Sequence, residues 1–327
     1  RGLNELLHIK FRKGFKEHYM LRYEVPYLNK LESFGLNTHI ELFRRKKTYY
    51  RTVDNQLLYF ENDENTYTSN ELLFEFEIIY NKNLNTKHQL NFDYHNVKID
   101  EEISALNPNY LLNGRAIKST ADFYKISYQF TREKRDNNVY PTKGYYIDFE
   151  IGKNIGSLIN HFQFNHHFEK HFTLTDNFLI GSSLRSRITN SKQQAYFSAQ
   201  TLGFDDYVRG YEFYVVDGED FYLSKTALKY AIIKNKKHDL PYLKMKQFKK
   251  SHFSLYATLF SDIGYAKNNT DYIENSLANS ILWGRGFSID YVTYYDKLLR
   301  IEFSINELGE KGVFLHFSNP FGETDKK

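Results

Sequence analysis

Leu299-Arg300-Ile301-Glu302-Phe303-Ser304-Ile305-Asn306 alternates apolar with polar side chains from end to end. Successive residues of a β-strand point to opposite faces, so this stretch makes one apolar face and one polar face. The same period runs through Tyr145, Ile147, Phe149 and Ile151 against Tyr146, Asp148 and Glu150. It recurs in Phe162, Phe164 and Phe168 against Gln163, Asn165, His167 and Glu169, and in Phe74, Phe76, Ile78 and Tyr80 against Glu75 and Glu77. No segment keeps a helical period over three turns. The spacing predicts strands near 5–15, 18–28, 36–51, 71–83, 88–99, 121–135, 143–154, 160–175, 177–189, 222–234, 252–265, 282–296, 298–307 and 312–321.

Many of these strands run to about ten residues or more, the length that crosses a bilayer at a tilt, whereas strands of soluble sandwiches average about five or six. Tight connections such as Asn83-Leu84-Asn85 alternate with long polar stretches such as 100–120 and 190–221, a habit of membrane barrels. Mean hydropathy is −0.62, with no apolar run long enough for a transmembrane helix. A spanning barrel exposes only every second residue to lipid, so a hydrophilic average is compatible with a membrane location. The expectation is an all-β fold, a transmembrane antiparallel β-barrel of about 14 strands, with a soluble β-sandwich as the alternative.

The 327 residues hold 28 Tyr and 28 Phe, 5 Pro and no Cys, which excludes disulfides and thiolate metal sites. The net charge of +4 is too small for this length to argue for a nucleic-acid partner. The Arg1 start carries no secretory signal pattern.

Five elements, in order, then carry a resemblance. Asp136-Asn137-Asn138-Val139-Tyr140-Pro141-Thr142-Lys143-Gly144 places a Pro and a Gly around a basic residue before a strand. Val208-Arg209-Gly210-Tyr211 follows within a long loop, and Phe260-Ser261-Asp262-Ile263-Gly264 lies on a strand. Gly284-Arg285-Gly286 opens another strand, and the region from Gly312 through Phe317 and Pro320 to Phe321 is similar to a terminal strand ending on Phe. Over residues 2 to 321 the chain resembles the outer-membrane assembly-factor superfamily of the BamA/TamA type.

The resemblance implies one barrel domain over 1–321, a loop at 190–221 folded into the lumen, and a tail at 322–327. It implies that Arg209 meets Asp262 near Gly264 on the barrel wall, that Asp136, Pro141 and Gly144 form a periplasmic turn, and that Gly312, Phe317, Pro320 and Phe321 form the terminal strand and seam. Where the family commonly has Glu-x-Arg after the loop, the matching stretch reads Thr226-Ala227-Leu228-Lys229, so the lock is expected to rest more heavily on Asp262. The first strand here resembles the family's third, which implies a parent of 16 strands extending upstream with periplasmic domains; a natural barrel of about 14 strands is the alternative.

The implied function is folding and insertion of other outer-membrane proteins at the bacterial outer membrane, through a lateral seam and without an enzymatic site. Unfolded outer-membrane proteins would be substrates, with the lipid bilayer and lipoprotein subunits as partners. The alternatives are a secretion pore of the same superfamily and a membrane anchor for an upstream enzymatic domain. No cofactor or metal is expected: His161, His167 and His171 show no partnering acid at ligand spacing and are read as polar lumen groups. Asp205, Asp206, Asp217, Glu219 and Asp220 are read as an acidic solvated loop rather than a calcium site.

Overall fold

The computed structural model of the chain describes residues 4–62, 66–111, 119–156, 159–192, 194–239, 250–269, 274–293, 297–318 and 321. Strands follow one another as β1 (Leu6–Arg12), β2 (Lys16–Val25), β3 (Phe34–Arg45), β4 (Lys47–Val53), β5 (Gln56–Glu61), β6 (Ser69–Asn83) and β7 (Thr86–Ile99). A short helix, α1 (Glu101–Leu106), precedes β8 (Thr120–Glu133), β9 (Gly144–Gly156), β10 (Asn160–Thr173) and β11 (Phe178–Thr189). Then come β12 (Gln200–Leu202), β13 (Val216–Asp217), β14 (Asp220–Asp239), β15 (Lys250–Lys267), β16 (Ile281–Thr293), β17 (Leu298–Ile305) and β18 (Lys311–His316).

Fourteen of these strands form one sheet in chain order, every neighbouring pair antiparallel, while β4–β5 and β12–β13 are separate two-stranded ladders. Each of the fourteen predicted strands overlaps one strand of this sheet. The alternation does not separate the β4–β5 hairpin: it predicts one strand over 36–51, whereas the chain leaves the sheet after Arg45. Helix α1 also escaped the strand pattern, because a single turn capped by the Asp100 carboxylate on the Glu102 amide leaves no helical period to detect.

Burial is inverted relative to a water-soluble protein. Leu90, Phe92, Ile126, Ile151, Phe164, Leu184, Leu259, Phe287 and Ile301 are exposed on the outer face, while Glu169, Lys229, Arg300 and Glu302 are buried on the inner one. Fully buried charged residues are rare unless paired, and exposed apolar residues across many adjacent strands need an apolar solvent. Such a distribution is stable only where lipid covers the outer face and the polar side chains line a lumen. Among the described residues no helix is long and apolar enough to cross a membrane, so the strands are the spanning elements.

The long connections 46–68, 100–119, 190–219 and 268–280 gather at one rim, and the opposite rim carries 84–85, 134–143 and 174–177 among its turns. Contacts across the lumen show the curl of the sheet. Tyr110, in the β7–β8 connection, packs on Tyr196 of the 190–219 loop, and Tyr211 of the same loop accepts a hydrogen bond from the Glu307 amide beyond β17. Among the described residues no ladder joins β1 to β18.

The terminal region departs from expectation. Gly312 lies on β18 opposite Ser304, but the strand stops at His316, so Phe317 is outside it and Phe321 is not a strand residue. Phe321 instead turns into the lumen, where its ring packs with Ala227 and Phe260 and lies edge-on to His171, and its carbonyl accepts a 2.8 Å bond from the Arg185 guanidinium. Burial of that ring and satisfaction of its carbonyl draw the chain inward. Pro320 and the 322–327 tail lie outside the described residues.

The lipid-facing assignment has a direct test. Phe92 sits at the centre of β7 between Phe76 and Ile126. Phe92→Arg is expected to destabilise the protein in phospholipid vesicles by about 2–4 kcal/mol. Ser127→Ala, on the lumen face, should cost roughly 1 kcal/mol, the value of one hydrogen bond. Urea titration followed by heat-modifiable gel migration measures both.

Candidate functional site

The 190–219 loop is built as a plug with an apolar foot and a charged tip. The β12–β13 ladder folds it back on itself, and Leu202, Val208, Tyr211 and Val216 pack with Phe221, Leu223, Ala266, Leu277 and Leu282 of the β14–β16 wall and its connection. On the other side Tyr196 and Phe197 reach the cluster of Val97, Ile99, Ile103, Tyr110 and Ala121. The β4–β5 hairpin adds Tyr49, whose hydroxyl accepts a hydrogen bond from the Gln200 side chain. The loop therefore bridges walls that are far apart in the chain.

At the tip Arg209 and Asp262 are both completely buried and meet in two-point contact, Nε to Oδ2 at 2.7 Å and Nη2 to Oδ1 at 2.5 Å. The Arg209 amide also donates to Oδ2 at 3.2 Å, so one carboxylate fixes the side chain and the backbone together. The guanidinium carbon lies 3.8 Å from the centre of the Phe260 ring, which contributes a cation–π face two residues before Asp262 on β15. A planar fork of donors suits this carboxylate as an ammonium would not.

Small residues make the approach feasible. A Cβ on Gly284 would collide with the Arg209 carbonyl, and one on Gly264 would collide with Val208 Cγ2. Gly210 holds φ at +92°, a region that L side chains rarely adopt, and turns its carbonyl to accept a 2.9 Å bond from Asn306 Nδ2.

The second partner of Arg209 is not at Ala227, which is buried against Phe260 and Phe321. It is Glu302 on β17, with Oε2 3.9 Å from Arg209 Nη1. Glu302 belongs to the polar face of the alternating stretch Leu299–Asn306; its lumen orientation was legible, its proximity to a loop about ninety residues earlier was not.

At the opposite rim Asp136, Pro141 and Gly144 come together in one turn. Asp136 accepts bonds from the Thr142 hydroxyl and from the amides of Thr142 and Lys143. Burial alone would raise this carboxyl, but those hydrogen bonds hold it below the usual carboxylate range. Gly144 has φ +102°, with the Lys134 carbonyl where a Cβ would stand. The turn carries Tyr140 into the lumen, where its hydroxyl donates to Asp290 Oδ2 at 2.8 Å and its ring stacks near Lys229. Asp290 also takes both ends of the Arg300 fork, at 2.7 and 2.9 Å.

Two expectations need correction. Two of the three histidines do have an acid partner: Glu169, on the same face of β10, lies 2.9 Å from His167 Nε2 and 3.1 Å from His171 Nε2, and Arg135 completes the group at 2.8 Å, while His161 meets the Asn154 side chain. The period of two brings i and i+2 side by side, a spacing that metal-motif patterns do not score. The acidic loop is also only partly solvated: Asp205 is exposed, but Asp217, Glu219 and Asp220 are buried. Asp220 accepts from the Thr189 amide, Glu219 from that of Asn269, and Asp206 pairs with Arg185 at 2.7 Å.

An inverted antiparallel sheet whose lumen is plugged by its own long loop defines a β-barrel membrane protein of the outer-membrane type. The Omp85 superfamily domain matches residues 1–303, and the chain belongs to that superfamily. A search of curated proteins returned no match. Among solved structures the chain is similar to BamA from Haemophilus ducreyi lacking POTRA domains 1-3, with a TM-score of 0.65 and 12% identity over 97% of this chain and 63% of that one. It is also similar to CdiB from Escherichia coli (TM-score 0.53, 11% identity, 93% of this chain and 51% of that one) and CdiB from Acinetobacter baumannii (TM-score 0.53, 10%, 93% and 50%). At these identities the likeness is one of fold.

Removing one partner of a buried ion pair strands the other charge, at about 3–5 kcal/mol. Arg209→Ala and Asp262→Ala are each expected to lose stability on that scale, and the double variant to lose clearly less than the two together. Denaturant titration of the four proteins in detergent gives the coupling directly.

Proposed function

We propose that this barrel folds and inserts other outer-membrane proteins in the bacterial outer membrane, acting through the edge of its last strand and without covalent chemistry. The observation that carries the reading is β18. It is six residues long against 8–20 for the five strands before it in the sheet, and the chain beyond it turns into the lumen at Phe321. A short last strand makes few ladder hydrogen bonds, so its edge is the easiest in the sheet to free, and a client could then add to it by β-augmentation. Lipid along the outer face is then the medium the client enters, and unfolded outer-membrane proteins are the substrates. Lipoprotein subunits at the turn-bearing rim fit the same scheme.

A second reading is a secretion pore. The lumen is filled by the loop, and two of the similar structures are CdiB, so cargo could pass through once the plug yields. The two readings differ in where a client touches: the β18 edge for insertion, the lumen wall for secretion.

The chain has no cysteine, so single-cysteine probes are unambiguous. The full-length protein carrying this barrel, reconstituted in phospholipid vesicles, is expected to accelerate folding of a urea-denatured outer-membrane protein over empty vesicles. Leu315→Cys on β18 is expected to form a disulfide with a cysteine in a client strand. Unchanged folding rates with no crosslink at β18 would overturn the insertion reading. Crosslinks confined to the lumen face, with passage of an exported chain into the vesicle, would replace it with the secretion reading.

A further inference from the structure

Beside the Arg209 contact lies a group of side chains that the loop lock leaves unsatisfied. Glu212 stands two residues after Gly210, Glu302 faces the lumen on β17, and His316 ends β18. In the β17–β18 register Glu302 is opposite Phe314 and Arg300 is opposite His316, so Glu302 and His316 are diagonal neighbours on one face. One donor atom from each of Glu212, Glu302 and His316 lies within 4.8 Å of the others.

Glu302 is completely buried, and neither of its carboxylate oxygens has a hydrogen-bond partner; Glu212 Oε1 and His316 Nε2 are likewise without one. Leaving a buried carboxylate without a hydrogen bond is costly, and the ion pair with Arg209 Nη1, at 3.9 Å, is too long to supply one. Arg209 gives Nε and Nη2 to Asp262 and Arg300 gives Nε and Nη2 to Asp290, which leaves Nη1 of each without a hydrogen bond. Around the two carboxylates and the imidazole stand Arg209, Arg300 and the buried ammonium of Lys225, which lies over the Tyr207 ring. Tyr207 also stacks on the His316 ring, holding the imidazole in place. Glu212 is anchored by its other oxygen, which accepts the Gly210 amide at 2.8 Å.

We infer that Glu212, Glu302 and His316 form a binding site for a first-row divalent cation, with zinc as its best-fitting member. Two carboxylate oxygens and one imidazole nitrogen are a three-ligand set that leaves a fourth position for water. Ligand atoms on a zinc tetrahedron with bonds of 2.0–2.1 Å are about 3.3 Å apart, so small side-chain rotations close the present spacing. Hard cations such as magnesium favour all-oxygen sites and are disfavoured by the imidazole. The ion would satisfy three orphaned groups and fasten the loop tip, β17 and the end of β18 at one point.

The test is calorimetric titration of zinc chloride into the full-length, detergent-folded protein after treatment with a chelator, with magnesium chloride as comparison. Expected are one zinc per chain, no magnesium uptake at matched concentrations, and an affinity at least tenfold weaker in Glu302→Gln and in His316→Asn. Zinc should also raise the unfolding temperature of the wild type but not of His316→Asn. Heat-modifiable migration checks that each variant is folded; if Glu302→Gln is not, His316→Asn decides alone. Absence of zinc uptake, or uptake that His316→Asn leaves unchanged, overturns the proposal: the first leaves Glu302 balanced by the Arg209 ion pair alone, the second places the metal on other histidines.

Discussion

The two-point contact between Arg209 and Asp262 is the constraint around which the lumen is arranged. An arginine carried inward by a loop has no water to solvate it, so its charge must be met on the wall in good geometry. Asp262 meets it, but only because the surrounding wall is hollowed. Gly264 and Gly284 leave room for Val208 and for the Arg209 backbone, and Phe260 presents a ring face where an aliphatic side chain would present nothing of opposite charge. The apolar foot of the loop supplies burial without direction. The ion pair supplies the direction.

The rest of the lumen repeats the logic at other depths. Near the 134–143 rim Arg300, Asp290 and Tyr140 form a closed set, and Arg135, Glu169, His167 and His171 another. Phe321 sits between these groups and the plug, against His171, Phe260 and Ala227. Among the described residues the lumen beside β14–β17 is therefore a packed polar core, while the lumen-facing Glu75, Glu77, Asn91 and Asp93 of β6 and β7 stay partly exposed. Any passage or insertion must displace the plug or use the wall, and the wall's least supported element is the short last strand.

Alternation made the main sheet legible because lipid on one side and a polar lumen on the other impose opposite chemistry on successive residues. That is why Leu299–Asn306 alone points to the fold and why all fourteen sheet strands overlap their expected positions. The Arg209–Asp262 pairing was reached by resemblance; nothing in the spacing of residues 209 and 262 states it. Glu302 escaped because cross-lumen proximity depends on how far the sheet curls, which no local pattern records. The β4–β5 hairpin escaped because a strand leaving the sheet keeps its period. The inward turn at Phe321 escaped because a terminal aromatic looks the same on a strand as in a lumen pocket, and its place is decided by Arg185, His171 and Phe260.

The central claim is that the loop is held on the wall by the Arg209–Asp262 pair. Hydrogen–deuterium exchange of the folded protein in detergent, read on peptides covering 194–219 in the wild type and in Arg209→Ala, addresses it most directly. The account predicts protection of these peptides in the wild type and its loss in the variant, while peptides from β14 and β15 stay protected in both. Rapid exchange of the loop already in the wild type, or unchanged protection after Arg209→Ala, would contradict it.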